Sequence, residues 1–329
     1  MRTHTIVIAA ATLTCAAVVA AIMAASLLGD RTPAPVQTMA ATRPAEPVPT
    51  AEPDLGNEAV TSMWVWHNPI ASEDDTRGKA YEPANAERLA SFAETNGLHI
   101  VHLSAPWKSG QGSFADWLDQ STRALADEGI ESSMLGGDPT WVDHPDFAVE
   151  WMKDATDARD VAQIQLDVEP WTTPAWERDK EATIVKWLAV LDAVKTELPP
   201  GVRLAIDAPW WLVNEAAPGG GNTLMDAVLD RVDRVEIVAF SDHAGGAEGI
   251  ITLATSAVAA AAKANVPFGI GVETDSPSVA GGEQYTFSDD GPTVFETEIN
   301  SVERAFVEVP GYQGITVQRY QTWRELHDL

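Results

Sequence analysis

Period-two alternation of apolar and polar residues marks eight short stretches of the chain, at 62–69, 98–107, 130–141, 163–171, 202–211, 234–243, 266–275 and 313–323. The segments between them repeat apolar residues at helical spacing. "NAERLASFAETNG" runs into Gly97, "SFADWLDQSTRALADEG" into Gly129, and "ATIVKWLAVLDAVKTELPPG" stops at Pro199 and Pro200. "ITLATSAVAAAAKAN" and "TVFETEINSVERAFVEV" fill later gaps. Eight alternating strand and helix units within residues 60–329 predict an α/β fold, a single-domain (β/α)8 barrel. The competing arrangement, a doubly wound open sheet, usually carries a glycine-rich phosphate loop after its first strand. Here that strand ends in "WHNP", with no such loop.

The stretch "QIQLDVEPW" (163–171) carries the most information. Ile164, Leu166 and Val168 fall on one face, and Gln165, Asp167 and Glu169 on the other. In a barrel the apolar face meets the helices and the polar face points into the lumen. Asp167 and Glu169 then climb towards the C-terminal rim, where barrel enzymes hold their active sites. The seventh stretch repeats the logic. Phe268, Ile270 and Val272 oppose Gly269, Gly271, Glu273 and Asp275, so Glu273 points inward near the rim. Two carboxyls facing across a lumen suit glycoside hydrolysis, one donating a proton and the other attacking or activating water. The candidate catalytic residues are therefore Glu169, Glu273 and Asp167. For Glu273 the competing expectation is a rim carboxyl making structural hydrogen bonds. Arg319, by alternation, is expected to face outward.

Other polar and aromatic residues fall at predicted strand ends. Trp66, His67, Asp138, Trp171, Asp207, Trp210, Asp242, Gln318, Tyr320 and Trp323 are the candidate substrate contacts, with Gln318 and Tyr320 on one face of strand eight. Of the 12 tryptophans, Trp66, Trp107, Trp141, Trp171, Trp176, Trp210, Trp211 and Trp323 lie at or just after strand ends. An indole offers a flat platform to a sugar ring but also packs a core well. About half of these are expected to reach the cleft. Trp117, Trp151 and Trp187 sit in helical segments and are expected to pack.

Composition narrows the partners. The net charge of -28, from 21 basic and 49 acidic residues, argues against nucleic acid, which needs a basic surface. It fits a neutral or cationic partner, here a carbohydrate. No cofactor motif is visible, and the leading reading needs neither cofactor nor metal. Ahead of the barrel, Arg2 precedes an uncharged run from Ile6 to Leu28 that contains the only cysteine, Cys15. Residues 1–28 read as a signal peptide or an N-terminal membrane anchor, the length favouring the anchor. Residues 29–59, rich in Pro, Ala and Thr, read as a disordered linker. The barrel is expected to be secreted or held at the outer face of the cytoplasmic membrane.

The motifs resemble those of glycosidase barrels of the chitinase type. "MLGGD" (134–138) is similar to the Gly-Gly end of strand three in that family, and "QLDVEPW" (165–171) to its D-x-D-x-E motif. The resemblance implies that Glu169 is the proton donor and that Asp167 orients a substrate acetamido group. Gln165 stands where the family has its first acid, and "FSDH" (240–243) has Asp242 without the usual tyrosine. A second resemblance is to retaining glycosidases with catalytic glutamates on strands four and seven, through "VEP" and "VETD", with Val168 in place of their asparagine. The end, "GITVQRYQTWREL", resembles a group of secreted bacterial barrel proteins of uncharacterised function. Two other classes stay open. A barrel phosphodiesterase would use His67, His102, Asp167 and Glu169 around a divalent metal, and a carbohydrate-binding pseudoenzyme would bind without turnover.

Overall fold

The computed structural model describes residues 59–66, 85–110 and 112–327. The expected signal or anchor segment, nearly all of the linker, His67 and Asn68 lie outside these residues. Strand β1 (Val60–Val65) leads to helix α1 (Ala86–Thr95), β2 (Ile100–Ser104) to α2 (Gly112–Asp127), and β3 (Glu131–Gly136) to α3 (Pro145–Thr156). Then β4 (Gln163–Leu166) leads to α4 (Lys180–Glu197), β5 (Arg203–Pro209) to α5 (Leu224–Leu229), and β6 (Arg234–Val238) to α6 (Ile250–Ala264). Last come β7 (Phe268–Glu273) with α7 (Pro292–Phe306) and β8 (Tyr312–Gln318) with α8 (Tyr320–His327). The strands close in sequence order into a barrel, and every neighbouring pair is parallel. No helix among the described residues is long and apolar enough to cross a membrane.

Local signals start and stop the helices. Asn85 caps α1 by accepting from Arg88 N at 3.0 Å, and Asp179 does the same for α4 from Ala182 N at 3.1 Å. Thr223 and Asp226 form a reciprocal capping box on α5. The helices bury their apolar stripes against the outer face of the sheet. That face carries Met63 and Val65, Ile164 and Leu166, Val235 and Ile237, Ile270 and Val272, and Ile315 and Val317, all fully buried. The helix residues Trp117, Trp151 and Trp187 are buried with them.

The inner face is polar. Its residues include two hydrogen-bonded chains, Trp64–Asp207–Gln165–Gln163 and Ser62–Thr316–Glu236–Arg234. Strand β7 makes room for them. A Cβ on Gly269 would lie 2.0 Å from Glu236 Oε2, and one on Gly271 would lie 2.9 Å from the Trp64 ring. The glycines of "MLGGD" serve close packing as well. A Cβ on Gly137 would sit 1.8 Å from the carbonyl oxygen of Asp167, so this glycine lets β4 approach the end of β3.

Two strands are shorter than their patterns suggest. β4 ends at Leu166, and Asp167 to Glu169 continue as extended chain into a turn at Pro170–Thr172. β8 ends at Gln318, so alternation does not govern the residues beyond it. Arg319, expected to face outward, is instead buried at 3% exposure in an ion pair with Asp275.

Substituting Gly137 by alanine is expected to destabilise the barrel by about 3 kcal/mol, because backbone rather than a flexible side chain blocks the new methyl. Gly245→Ala, with nothing near its Cβ, is expected to stay within about 0.5 kcal/mol of the native chain. Urea denaturation of both variants checks the contrast.

Candidate active site

Asp167 and Glu169 stand at the C-terminal mouth of β4, both half-buried. Asp167 is held by its backbone N–H, which donates to Gly136 O at 3.0 Å. Glu169 precedes the turn at Pro170, and its side chain does not cap that turn. Burial, and then the charge of Glu169, push the Asp167 carboxyl well above the usual carboxylate range. A charge on Glu169 therefore favours the protonated form of Asp167.

A third acid stands beside them. Asp207, on β5, is 5% exposed. Its Oδ1 accepts from Trp64 Nε1 at 3.1 Å and from Gln165 Nε2 at 2.7 Å. Gln165 Oε1 in turn accepts from Gln163 Nε2 at 2.9 Å. Burial, and then the charges of Asp167 and Glu236, raise Asp207 well above the usual range, against the pull of its two donors. Deeper in the lumen, Glu236 accepts from Arg234 Nε and from Thr316 Oγ1, both at 2.7 Å. His102 lies 3.9 Å from Glu236, and burial, with help from Arg234, holds it well below the usual histidine range, so it is neutral.

The opposite wall is built by β7, β8 and β1. Glu273 is buried, and its Oε1 accepts from Thr274 N at 2.8 Å and Asp275 N at 2.7 Å. Both donors belong to its own loop. Burial and then Asp275 push its carboxyl up to about 8, although Arg319 and the two N–H donors favour the ionised form. Arg319 Nη2 pairs with Asp275 Oδ2 at 2.9 Å. Thr274 ties this loop to β8 by donating from N at 2.5 Å and from Oγ1 at 2.7 Å to Gln318 O. Above them Trp66 Nε1 donates to Gln318 Oε1 at 2.9 Å.

The remaining candidates divide sharply. Trp66, Gln318 and Trp210 are half-buried at the C-terminal ends of β1, β8 and β5. Asp242 is half-buried after β6 and is bonded to His243 Nδ1. Asp138 spends Oδ1 on Thr140 N and Oγ1, at 2.8 and 2.7 Å, where it caps the turn at Pro139–Val142. Trp171 is corrected to a packing residue. It is buried edge-on against Trp176, Trp187 and Trp211, with ring centroids 6.2, 5.6 and 5.3 Å away. Tyr320 and Trp323 are corrected likewise. They lie in α8 and pack edge-on against Phe92, at 5.3 and 5.0 Å. Of the eight strand-end tryptophans, Trp66, Trp107 and Trp210 keep exposed surface and the other five are buried. Trp64, Glu236 and the Asp275–Arg319 pair are central to the lumen and were not among the sequence candidates. Alternation in "SMWVW" and "RVEIV" marks Trp64 and Glu236 as inward-facing, by the same rule that marks Asp167.

A recess of about 780 Å³ opens at the other, N-terminal end of the barrel, lined by residues that include His99, Arg203, Asp233 and Arg234. None of Asp167, Glu169, Asp207 or Glu273 lines it, so the acid cluster and this recess are separate features. Among the described residues no group of three or more His, Cys, Asp or Glu side chains is arranged to hold a metal ion.

The chain matches no protein-family model and no curated protein. Solved structures do resemble it. The shared fold is the closed (β/α)8 barrel. A GH18 chitinase from Pseudoalteromonas aurantia aligns at 12% identity and a TM-score of 0.52, covering 79% of this chain and 94% of that one. A chitinase from Rhizomucor miehei aligns at 14% identity and 0.49, over 80% and 94%. A putative deoxyribose-phosphate aldolase from Toxoplasma gondii ME49 aligns at 13% identity and 0.46, over 82% and 93%. At these identities the likeness is one of fold, and the chemistry must be argued from the side chains.

Glu273 makes stability depend on pH. Its folded value of about 8 lies above the 4.5 of an unperturbed glutamate, so between these the folded chain holds a proton that the unfolded chain has lost. This contribution is complete below about pH 4.5 and is lost as pH rises through 8. Glu273→Gln keeps a side-chain oxygen for both backbone donors and cannot ionise. Its stability relative to the native chain is expected to improve between pH 5 and pH 9 by a few kcal/mol, since each pH unit crossed in that interval is worth about 1.4 kcal/mol. Denaturation midpoints at the two pH values check this.

Proposed function

We propose that this protein is an exported glycoside hydrolase that cleaves a glycosidic bond in an extracellular or cell-envelope glycan. The observation that carries the reading is the Asp167–Glu169 pair. Both carboxyls stand half-buried at the mouth of a barrel strand, and the charge of Glu169 favours the protonated form of Asp167 there. In this reading Glu169, nearer the rim, donates the proton to the leaving oxygen. Asp167, one step deeper, steers the oxygen that attacks the anomeric carbon, whether it comes from water or from the substrate itself. Trp66, Trp210 and Gln318 supply surface for the sugar rings. The reading rests on these side chains, because the structural neighbours speak for the fold alone.

Glu273 takes a different part from the one its alternation suggested. A nucleophile must be ionised and must reach the substrate. Glu273 is buried, has one oxygen held by two N–H groups of its own loop, and stays neutral to about pH 8. We assign it to bracing the loop that carries Asp275 and Arg319. This matches the competing expectation of a rim carboxyl making structural hydrogen bonds.

The test is release of reducing ends from a panel of bacterial and plant polysaccharides by the full chain. Glu169→Gln is expected to slow release by roughly 10²- to 10⁴-fold, the usual worth of a positioned acid. Glu273→Gln is expected to stay within about tenfold of the native rate, because it leaves that acid in place. No release from any glycan, with sugar binding equal in the native chain and Glu169→Gln, would replace the hydrolase by a binding protein. EDTA-sensitive cleavage of a phosphodiester would replace it by a metal-dependent enzyme.

A further inference from the structure

We propose that Trp66 is the surface on which a sugar ring stacks at the mouth of the barrel, and that Gln318 is a positioning residue that holds the Trp66 indole by its edge. The proposal rests on the hydrolase reading for its ligand, though not for its geometry, and it gives Gln318 a part beyond contact with the sugar. Trp66 Nε1 donates to Gln318 Oε1 at 2.9 Å, and Gln321 Nε2 donates to the Trp66 carbonyl oxygen at 3.2 Å. The end of β8 and the start of α8 thus hold both the side chain and the backbone of Trp66. An indole N–H donates in the plane of its ring, so this bond fixes the ring and spends neither face.

Three strand-end indoles keep exposed surface, and they are not alike. Trp107 and Trp210 lie against the apolar core, whereas Trp66 is not among the described apolar side chains packed on it. Trp66 stands two residues beyond Trp64, whose Nε1 reaches Asp207 on β5, the strand opposite β1 in the closed barrel. Its bond to Gln318, the register partner of Trp64 on β8, keeps it on that same side, nearer the rim. The ring is half-buried there with its one polar group already bonded, so what it offers a ligand is apolar and uncharged. The C–H face of a pyranose matches that surface. Gln318 is itself fixed. It is paired with Trp64 on one side and with Glu273 on the other. Its carbonyl oxygen accepts from Thr274 N at 2.5 Å and from Thr274 Oγ1 at 2.7 Å. Thr274 N also donates to Glu273 Oε1 at 2.8 Å. A series of hydrogen bonds therefore runs from the buried Glu273 through Thr274 and Gln318 to the Trp66 ring. The loop that Glu273 braces is the anchor of the stacking surface.

The experiment uses the full chain and soluble oligosaccharides made by partial hydrolysis of each polysaccharide in the panel. Calorimetry detects binding, and NMR follows the indole N–H signals, that of Trp66 being assigned by its loss in Trp66→Phe. The Trp66 signal is expected to shift as an oligosaccharide binds. Binding that leaves it unmoved overturns the proposal, and so does binding of no oligosaccharide. Trp66→Ala is expected to weaken binding, and to raise KM where cleavage is seen, by roughly tenfold, with a smaller effect on kcat. Gln318→Leu removes the acceptor and leaves the backbone. It is expected to weaken binding roughly threefold when Trp66 is present and to have no effect in Trp66→Phe, which has no N–H to place. A merely structural role for Gln318 gives equal effects in both backgrounds, and that result overturns the proposal. If Gln318→Leu does not fold, Gln318→Met, closer in shape to glutamine, replaces it in the same cycle with the same criterion. If Trp66→Ala weakens binding but the native chain cleaves no glycan, the stacking surface stands and the hydrolase reading fails. If cleavage depends on Glu169 and ignores Trp66→Ala, the hydrolase reading stands and the proposal is overturned.

Discussion

A carboxylate withdrawn from water is costly unless it is neutralised, paired or richly hydrogen-bonded, and this barrel places several in its lumen. That constraint sets most of what surrounds them. Glu236 is met by Arg234 and a threonine hydroxyl, Asp207 by an indole and an amide, and Glu273 by two backbone N–H groups. Barrel interiors are usually filled by branched apolar side chains. Here the filling is polar, so the inner positions of β7 shrink to glycine where Glu236 and Trp64 need the volume. Even the close approach at Gly137 follows from the need to seat Asp167 against β3.

The acids divide into two groups with different roles. On the β4–β5–β6 side, the charges of Asp167 and Glu236 both bear on Asp207, and the series leads from the Arg234 end of the lumen to Glu169 at the mouth. On the β7–β8 side, Glu273 and Asp275 share Arg319 and are bound into a loop by Thr274 and Gln318. The first group has its half-buried member, Asp167, at the mouth, where burial and the charge of Glu169 favour its protonated form. The second spends its hydrogen-bonding capacity on its own backbone. Two glutamates on opposed strands look alike in a sequence, and they differ here in burial: Glu273 is buried on two N–H groups of its own loop, whereas Glu169 is half-buried at the mouth.

The barrel was legible because period-two alternation survives through Gln163–Leu166 of β4 and Phe268–Glu273 of β7. The same rule failed wherever the strand stopped sooner than the pattern. β8 ends at Gln318, so extending alternation to Arg319 and Tyr320 misplaced both, and Trp323, expected near the strand end, lies in α8. The tryptophans failed for a different reason. An indole after a strand end can turn towards the mouth or back under the following helix, and both choices satisfy its apolar surface. Trp171 turned back into a cluster with Trp176, Trp187 and Trp211, which its sequence position could not disclose. Glu236 is marked inward by the same alternation, yet it lies mid-strand, below the rim where barrel chemistry is expected.

The electrostatics of the mouth also bears on the class of ligand. A phosphodiester brings a negative charge that needs cations to receive it. The guanidinium that influences Glu273, that of Arg319, is already bound to Asp275, and Arg234 is bound to Glu236 deep in the lumen. Asp167, Asp207 and Glu236 would all repel such a charge if ionised, within a chain of net charge -28. A neutral glycan meets none of this opposition. It can approach a mouth whose carboxyls are partly protonated and whose indoles are uncharged. The same burial that raises Asp167 and Asp207 favours their neutral forms and so weakens the field at the mouth, which suits a polar, uncharged ligand.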